Sequence, residues 1–226
     1  MKQVEVKKRI LAANDAQAEV LRDRFRQSGT LVIDLISSPG SGKTTLLEAT
    51  ARALAPEVSM ATIVGDVATE LDAQRLQAAN MPAYQIVTGG ACHLDARMVT
   101  DALEKAPFEL PQILFIENVG NLVCPASYVL GEDFKVALLS TTEGHDKPFK
   151  YPSIFSKADA TVITKLDLLE HLDFDMDLAR DQVLTLNPRA RVLPLSVKTG
   201  QGLDAWCEFL LAQGSRKRAQ ASSVVL

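Results

Sequence analysis

Residues 113–125 read Ile-Leu-Phe-Ile-Glu-Asn-Val-Gly-Asn-Leu-Val-Cys-Pro. An apolar run ends in an acid, Glu117, as a buried strand ends at a site of chemistry. Seven residues further on, the same loop offers a thiol, Cys124. Carboxylates suit hard cations such as Mg²⁺, and thiolates suit soft ones such as Ni²⁺ or Zn²⁺. Two kinds of metal chemistry therefore share one short loop.

A phosphate site is written upstream. Ser37-Ser-Pro-Gly-Ser-Gly-Lys-Thr-Thr45 follows an apolar run and precedes a helical pattern, the context of a P-loop. Gly40, Ser41 and Gly42 let backbone amides converge on phosphate oxygens. Lys43 reaches the β and γ phosphates, Thr44 offers a hydroxyl to Mg²⁺, and Thr45 continues into the helix N-terminus. The usual first glycine is Ser37 here. Glu117 fits the second acid of such sites, holding Mg²⁺ or orienting the attacking water, with an ordinary strand-end acid as its alternative. Asp66, in Val64-Gly-Asp66, is a second metal-side candidate in a possible switch loop, or else a turn or capping Asp. Lys43, Asp66 and Glu117 are thus the catalytic candidates, and Thr44, Asp66 and Glu117 the magnesium ligands.

Thr164-Lys-Leu-Asp167 and Ser196-Val-Lys-Thr-Gly200 follow later strands. A carboxylate at Asp167 accepts from both N1–H and the exocyclic amine of guanine, which adenine does not present. The Lys165 stem lies along a base face, and Thr164, Ser196, Val197 and Lys198 complete the pocket. In this order after a phosphate loop, the two segments point to GTP, with GDP as product, rather than ATP.

Cys92-His93 lies in another loop after an apolar run. With Cys124 these residues make a three-ligand Ni²⁺ or Zn²⁺ site, completed by water, backbone or a second subunit. Residue chemistry alone leaves open a buried cysteine with a helix-capping histidine. Cys207, in an amphipathic stretch, reads as core, and His145 and His171 as exposed loop histidines. Lys147 reads either as a nucleotide contact across a dimer or as a surface lysine.

These residues need a scaffold that gathers loop ends. Short apolar runs recur at Leu31–Ser37, Met60–Val64, Ala83–Val87, Gln112–Glu117, Val136–Thr141, Ala160–Thr164 and Arg191–Ser196. Amphipathic stretches separate most of them, over 70–80, 94–105, 174–186 and 203–213, with a further helix near 44–54. The alternation predicts an α/β fold: a mostly parallel sheet of about seven strands with helices on both faces. Residues 1–29 form an N-terminal helical extension stopped at Gly29, residues 30–213 the nucleotide domain, and 214–226 a disordered tail. The chain has 226 residues, 47% of them hydrophobic, enough for one sizeable core. A formal net charge of −4 argues against a general nucleic-acid binder. No run of 18 apolar residues or secretory signal is present, and three cysteines do not make a disulfide framework. A cytoplasmic, non-membrane protein is expected.

Together, Ser37–Thr45, Gly65-Asp66, Ala91-Cys-His-Leu-Asp95, Glu117–Pro125, Thr142-Glu-Gly-His-Asp-Lys-Pro148 and Lys150-Tyr-Pro152 resemble the HypB family, nickel-incorporation GTPases of [NiFe]-hydrogenase maturation. The resemblance runs from about residue 5 to 212. It implies a P-loop GTPase of the signal-recognition and MinD-like class, slow turnover, GTP-promoted homodimerisation, and a nickel or zinc site at the dimer interface with Cys92, His93 and Cys124 as ligands. It also implies a HypA-type zinc and nickel chaperone as partner and the hydrogenase large subunit as acceptor. Three departures stand out. The family's frequent N-terminal Cys-x-x-Cys-Gly-Cys motif and histidine-rich stretch do not occur here, so nickel storage by such a segment is not expected. The usual Asn-Lys-x-Asp reads Thr164-Lys-Leu-Asp167, which loses the amide that braces the phosphate loop. His145 replaces a usual acid. Two alternatives remain: a nickel chaperone GTPase for another enzyme such as urease, against which the absent Cys-Pro-His argues, and a metal storage protein with a vestigial nucleotide site.

Overall fold

The computed structural model describes residues 2–55, 57–67 and 71–224. Seven strands form one sheet: β1 (Leu31–Ser37), β2 (Met60–Asp66), β3 (Ala83–Val87), β4 (Ile113–Glu117), β5 (Phe134–Ser140), β6 (Ala160–Thr164) and β7 (Arg191–Pro194). Their order is β3-β2-β4-β1-β5-β6-β7, and every pairing is parallel. Parallel pairing places all strand C-termini at one edge, where an open α/β sheet binds its ligands. Ser37, Asp66, Glu117, Ser140 and Thr164 are therefore neighbours by topology.

The expected strands are all present, with ends shifted by a few residues. They read as near-continuous apolar runs because helices cover both faces. On one face Leu31, Ile33 and Leu35 pack with α2 (Lys43–Leu54), α3 (Leu71–Ala78) and α8 (Leu203–Val224) through Leu46, Leu47, Leu76 and Trp206. On the other, Val32, Ile63 and Ile116 meet α1 (Lys2–Ser28) and α4 (Ala96–Lys105) through Leu21, Phe25 and Val99. Ile36, Leu139 and Ile163 meet α6 (Pro152–Phe155), which follows the short α5 (Lys147–Lys150), and α7 (Met176–Leu186). The Trp206 indole N–H donates to the Thr50 hydroxyl at 2.9 Å, which satisfies a polar atom inside an otherwise apolar layer.

Helix α1 stops where Gly29 takes φ 69°, with Thr30 N–H donating to Phe25 O at 3.1 Å. Over residues 214–224 the expected disordered tail is instead helical, since α8 runs on to Val224, and residues 225–226 lie outside the described residues. The Arg-Lys-Arg-Ala-Gln-Ala run that reads as solvated is also strongly helix-forming. Lys217 pairs with Asp133 at 2.5 Å, and Arg218 and Ala221 lie against Gly29. The predicted helix over 70–80 appears as α3 from Leu71, and residues 68–70 of the expected switch loop lie outside the described residues. Among the described residues no helix is long and apolar enough to cross a membrane.

Candidate functional site

The turn after β1 is made by Gly40 and Gly42, at φ 74° and 97°, values a side-chain-bearing residue rarely adopts. It opens α2 on Lys43 and Thr44, both buried. The Lys43 ammonium donates to Ser37 Oγ at 3.0 Å. Ser37, the departure from the usual glycine, thus holds the lysine in place. Burial lowers the Lys43 pKa, while Glu117 opposes that shift.

Glu117 closes the cleft from the end of β4. Its Oε1 accepts the Thr44 hydroxyl at 2.7 Å, and its Oε2 is buried with no hydrogen-bond partner among the described residues. Burial pushes the carboxyl up to about 7, against the pull of Lys43 and Thr44. The surrounding cleft holds about 420 Å³ and is lined by Gly40, Lys43, Asp66, Arg75 and Gly120 among others. A Cβ on Gly120 would lie 3.0–3.2 Å from Pro39, so this loop packs directly on the phosphate loop. Arg75 bridges Glu48 and Thr45 Oγ1 at the rim, at 3.0 and 3.1 Å. Its position at the site was not foreseen, since an arginine in a polar helix carries no sequence signal.

A second, smaller cleft of about 160 Å³ shares Gly42 and Thr45 with the first. It gathers Ser41, Thr164, Lys165, Asp167, Val197 and Lys198. Asp167 Oδ1 accepts the Ser196 hydroxyl at 2.6 Å, and Lys198 stands 3.6 Å from Oδ2. The Ser196 bond holds the Asp167 carboxyl below the usual range. Thr164 does brace the phosphate loop: its hydroxyl donates to Ser41 O at 2.8 Å, so the expected loss is filled. Lys165, at φ 62°, donates to Gly40 O at 2.7 Å.

The segment after β5 also reaches the phosphate loop. Glu143 Oε2 accepts Ser41 Oγ at 2.7 Å and Ser140 N–H at 3.0 Å. Lys147 lies 3.4 Å from Glu143 Oε1 and 3.4 Å from Ser38 Oγ, above the Tyr151 ring. Lys147 is therefore placed on its own chain's loop. His145, expected to be an exposed loop histidine, is half-buried: it accepts Asp175 N–H at 3.2 Å and packs near Phe174, whereas His171 is exposed as expected.

The soft ligands converge. Cys92 Sγ lies 2.9 Å from Cys124 Sγ and 3.7 Å from His93 Nδ1. One donor atom from each of the three residues lies within 4.8 Å of the others. Asp95 caps α4 by accepting Met98 N–H at 2.8 Å, which fixes the root of the Cys92-His93 arm. The His93 ring lies on Tyr128, with centroids 4.0 Å apart, and partial burial lowers its pKa, favouring the neutral ligand form. Asn121 donates to Cys92 O at 3.1 Å and ties the two arms at the surface. Cys207, on α8, is buried against the core.

The chain matches the family described as CobW/HypB/UreG, nucleotide-binding domain, over residues 31–194. A hydrogenase maturation factor HypB from Azotobacter chroococcum mcd 1 is 46% identical over 98% of this chain and 73% of its own length. A hydrogenase/urease maturation factor HypB from Helicobacter pylori is 40% identical over 93% of this chain and 88% of its own. Among solved structures, HypB from Helicobacter pylori in complex with nickel superposes with a TM-score of 0.86 at 38% identity, covering 91% of this chain and 97% of that one.

Proposed function

The chain belongs to the HypB family of the CobW/HypB/UreG nucleotide-binding proteins, and from that premise we propose that it is a GTP-hydrolysing nickel chaperone of [NiFe]-hydrogenase maturation. One observation carries the reading. The loop that starts at Glu117, bonded to Thr44 at 2.7 Å, also holds Cys124 2.9 Å from Cys92. Nickel is the cargo, held by Cys92, His93 and Cys124, a donor set that also accepts Zn²⁺. The partners are a second copy of the chain, a HypA-type chaperone and the hydrogenase large subunit. Urease is a second acceptor reading, favoured by the double name of the Helicobacter pylori relative.

Magnesium fits the phosphate cleft because Glu117 Oε2 is a buried carboxylate oxygen, without a partner among the described residues, beside the Thr44 hydroxyl. Thr44, Glu117 and Asp66 would hold the ion, which neutralises phosphate charge when bound. The chain's own groups do the rest. Amides of residues 40–44 cradle the phosphates, and Lys43 leaves Ser37 for the β and γ oxygens. Glu117 and Asp66 orient water in line with the γ phosphorus. A bond forms from water oxygen to the γ phosphorus as the bond from that phosphorus to the β–γ bridging oxygen breaks; GDP leaves with the bridging oxygen, and the water's proton passes to the released phosphate. Asp167 selects guanine, so Asp167→Asn is expected to weaken GTP about 10- to 100-fold and to improve xanthosine triphosphate. Competition binding with both nucleotides measures this, and unchanged selectivity would rule out the guanine pocket.

Phosphate release and light-scattering mass, with GDP or a non-hydrolysable GTP analogue and with or without nickel, test the whole reading. Turnover with a dimer favoured by the analogue is expected. No phosphate release and one mass in every state would reject it.

A further inference from the structure

The two ligand arms are rooted in one buried polar network. Leu94, directly after His93, is fully buried and donates its N–H to Asn118 Oδ1 at 3.1 Å. Asn118 directly follows Glu117. Its Oδ1 also takes Val119 N–H at 3.1 Å, and its amide donates to Asp34 Oδ1 at 3.1 Å. Asp34, inside β1, pairs through Oδ2 with Lys135 at 2.8 Å. The same ammonium donates to Tyr128 O at 2.9 Å and pairs with Glu132 at 2.8 Å. Asn118 and Tyr128 bracket the loop that carries Cys124, and the Tyr128 ring supports His93. Leu94 is pressed from above as well: a Cβ on Gly65, next to Asp66, would fall 2.8 Å from its side chain. Residues adjoining both magnesium-side acids therefore grip the root of the Cys92-His93 arm.

We propose that Asn118 is a positioning residue that transmits the nucleotide state from Glu117 to both metal-ligand arms, with Asp34 and Lys135 as its fixed anchor. The inference rests on the proposed nucleotide and nickel sites. A hydrophobic side chain of similar size would fill the space as well as Asn118. It would leave the Leu94 and Val119 amides and one Asp34 oxygen without these partners. Packing alone also does not call for three ionisable groups, because buried ion pairs are often no more stabilising than apolar residues of like volume. What the network supplies is orientation. Any displacement of Glu117 moves the next residue, and that residue is bonded to the opposite arm. The Asn121 tie to Cys92 lies further along the loop, and along the chain a movement of Glu117 reaches it through Asn118.

The test is nickel affinity of the full chain, saturated with GDP or with a non-hydrolysable GTP analogue, together with the nickel–thiolate absorption band. Wild type is expected to differ about tenfold or more between the two states. Asn118→Asp sets a carboxylate against Asp34 and should bring the ratio near one, with a band that no longer responds to nucleotide. Asn118→Ser, too short to span Leu94 and Asp34, should do the same if the first variant folds poorly. Asp34→Asn combined with Asn118→Asp restores the donor and acceptor in exchanged places and should recover the ratio. A wild-type ratio in Asn118→Asp or Asn118→Ser, or no recovery in a double variant that melts like wild type, overturns the proposal alone. A ratio of one in wild type overturns the functional reading and the proposal with it.

Discussion

Replacing Glu117 by Gln is expected to lower GTP turnover about 100- to 1,000-fold and to make the nucleotide-free protein relatively more stable as pH rises. The first effect follows from charge. Gln keeps the oxygen that accepts the Thr44 hydroxyl but loses the anion that would hold magnesium or orient water. The second follows from burial. The folded carboxyl titrates near 7 against an ordinary value of 4.5, because burial outweighs the pull of Lys43 and Thr44. A raised acid keeps its proton longer in the fold than in the unfolded chain. Its contribution therefore falls as pH climbs from 4.5 to about 7 and stays flat above. The full span corresponds to roughly 3 kcal/mol. Gln also buries an amide N–H₂ near the partnerless Oε2 position, costing about 1–3 kcal/mol, but that cost does not depend on pH. The reading is thus a difference of differences: variant minus wild-type melting temperature, at pH 8 against pH 5. A gain of roughly 4–10 °C is expected between those conditions. A flat difference would show that Glu117 is not held near neutrality, and retained turnover would remove it from the chemistry.

That strain has a plain source in the fold. Parallel topology forces the end of β4 against the start of α2, so Glu117 is 3% exposed and meets Thr44 and Lys43. An acid kept half-protonated in a dry cleft is a poor stabiliser and a ready ligand for an incoming cation. The penalty is removed when a charge partner arrives, so nucleotide and magnesium binding would be linked to proton release.

The strands were legible because each is a buried apolar run, and the site residues because they stand at strand ends in recognisable motifs. What the sequence hid was polar chemistry inside those runs. Asp34 sits in the middle of β1, where its neighbours alternate faces as an ordinary core strand. Lys135, at the start of β5, reads as a strand-end cation until Asp34 and Glu132 are found around it. Burial works against its charge, and the two carboxylates overcome this and raise its pKa. Asn118 carries no signal in the sequence because its role depends on a partner 24 residues away, Leu94, contributed through a backbone amide that no motif records. Ser37 and Thr164 read as departures from a pattern, yet their hydroxyls make the contacts to Lys43 and Ser41. The tail misled for the converse reason: Lys217 and Arg218 look solvated until the helix brings them to Asp133 and Gly29.

Removing either thiol is expected to weaken nickel binding by at least about 100-fold, since even outer-shell losses at metal sites reach that range. Cys92→Ala and Cys124→Ala each leave two protein donors in place of three. The Cys92 thiol donates to Cys124 Sγ, and that bond pushes the Cys92 thiol above its usual range, so binding of nickel by thiolates must expel protons. Titrations in two buffers of different ionisation heat should register at least one released proton per nickel. Cys92 is exposed and Cys124 half-buried, so neither substitution should shift melting by more than a few degrees. Cys207→Ala is the converse control. It removes a thiol that α8 buries in the core, should cost about 1–2 kcal/mol of stability, and should leave the nickel titration unchanged. The pattern separates a cargo site from structural cysteines. If Cys92→Ala and Cys124→Ala destabilise the fold while nickel affinity holds, the two thiols are packing residues and the cargo is held elsewhere. If affinity falls while the fold and GTP turnover persist, the two thiols hold the cargo and take no part in the phosphate chemistry at the Glu117 end of the loop.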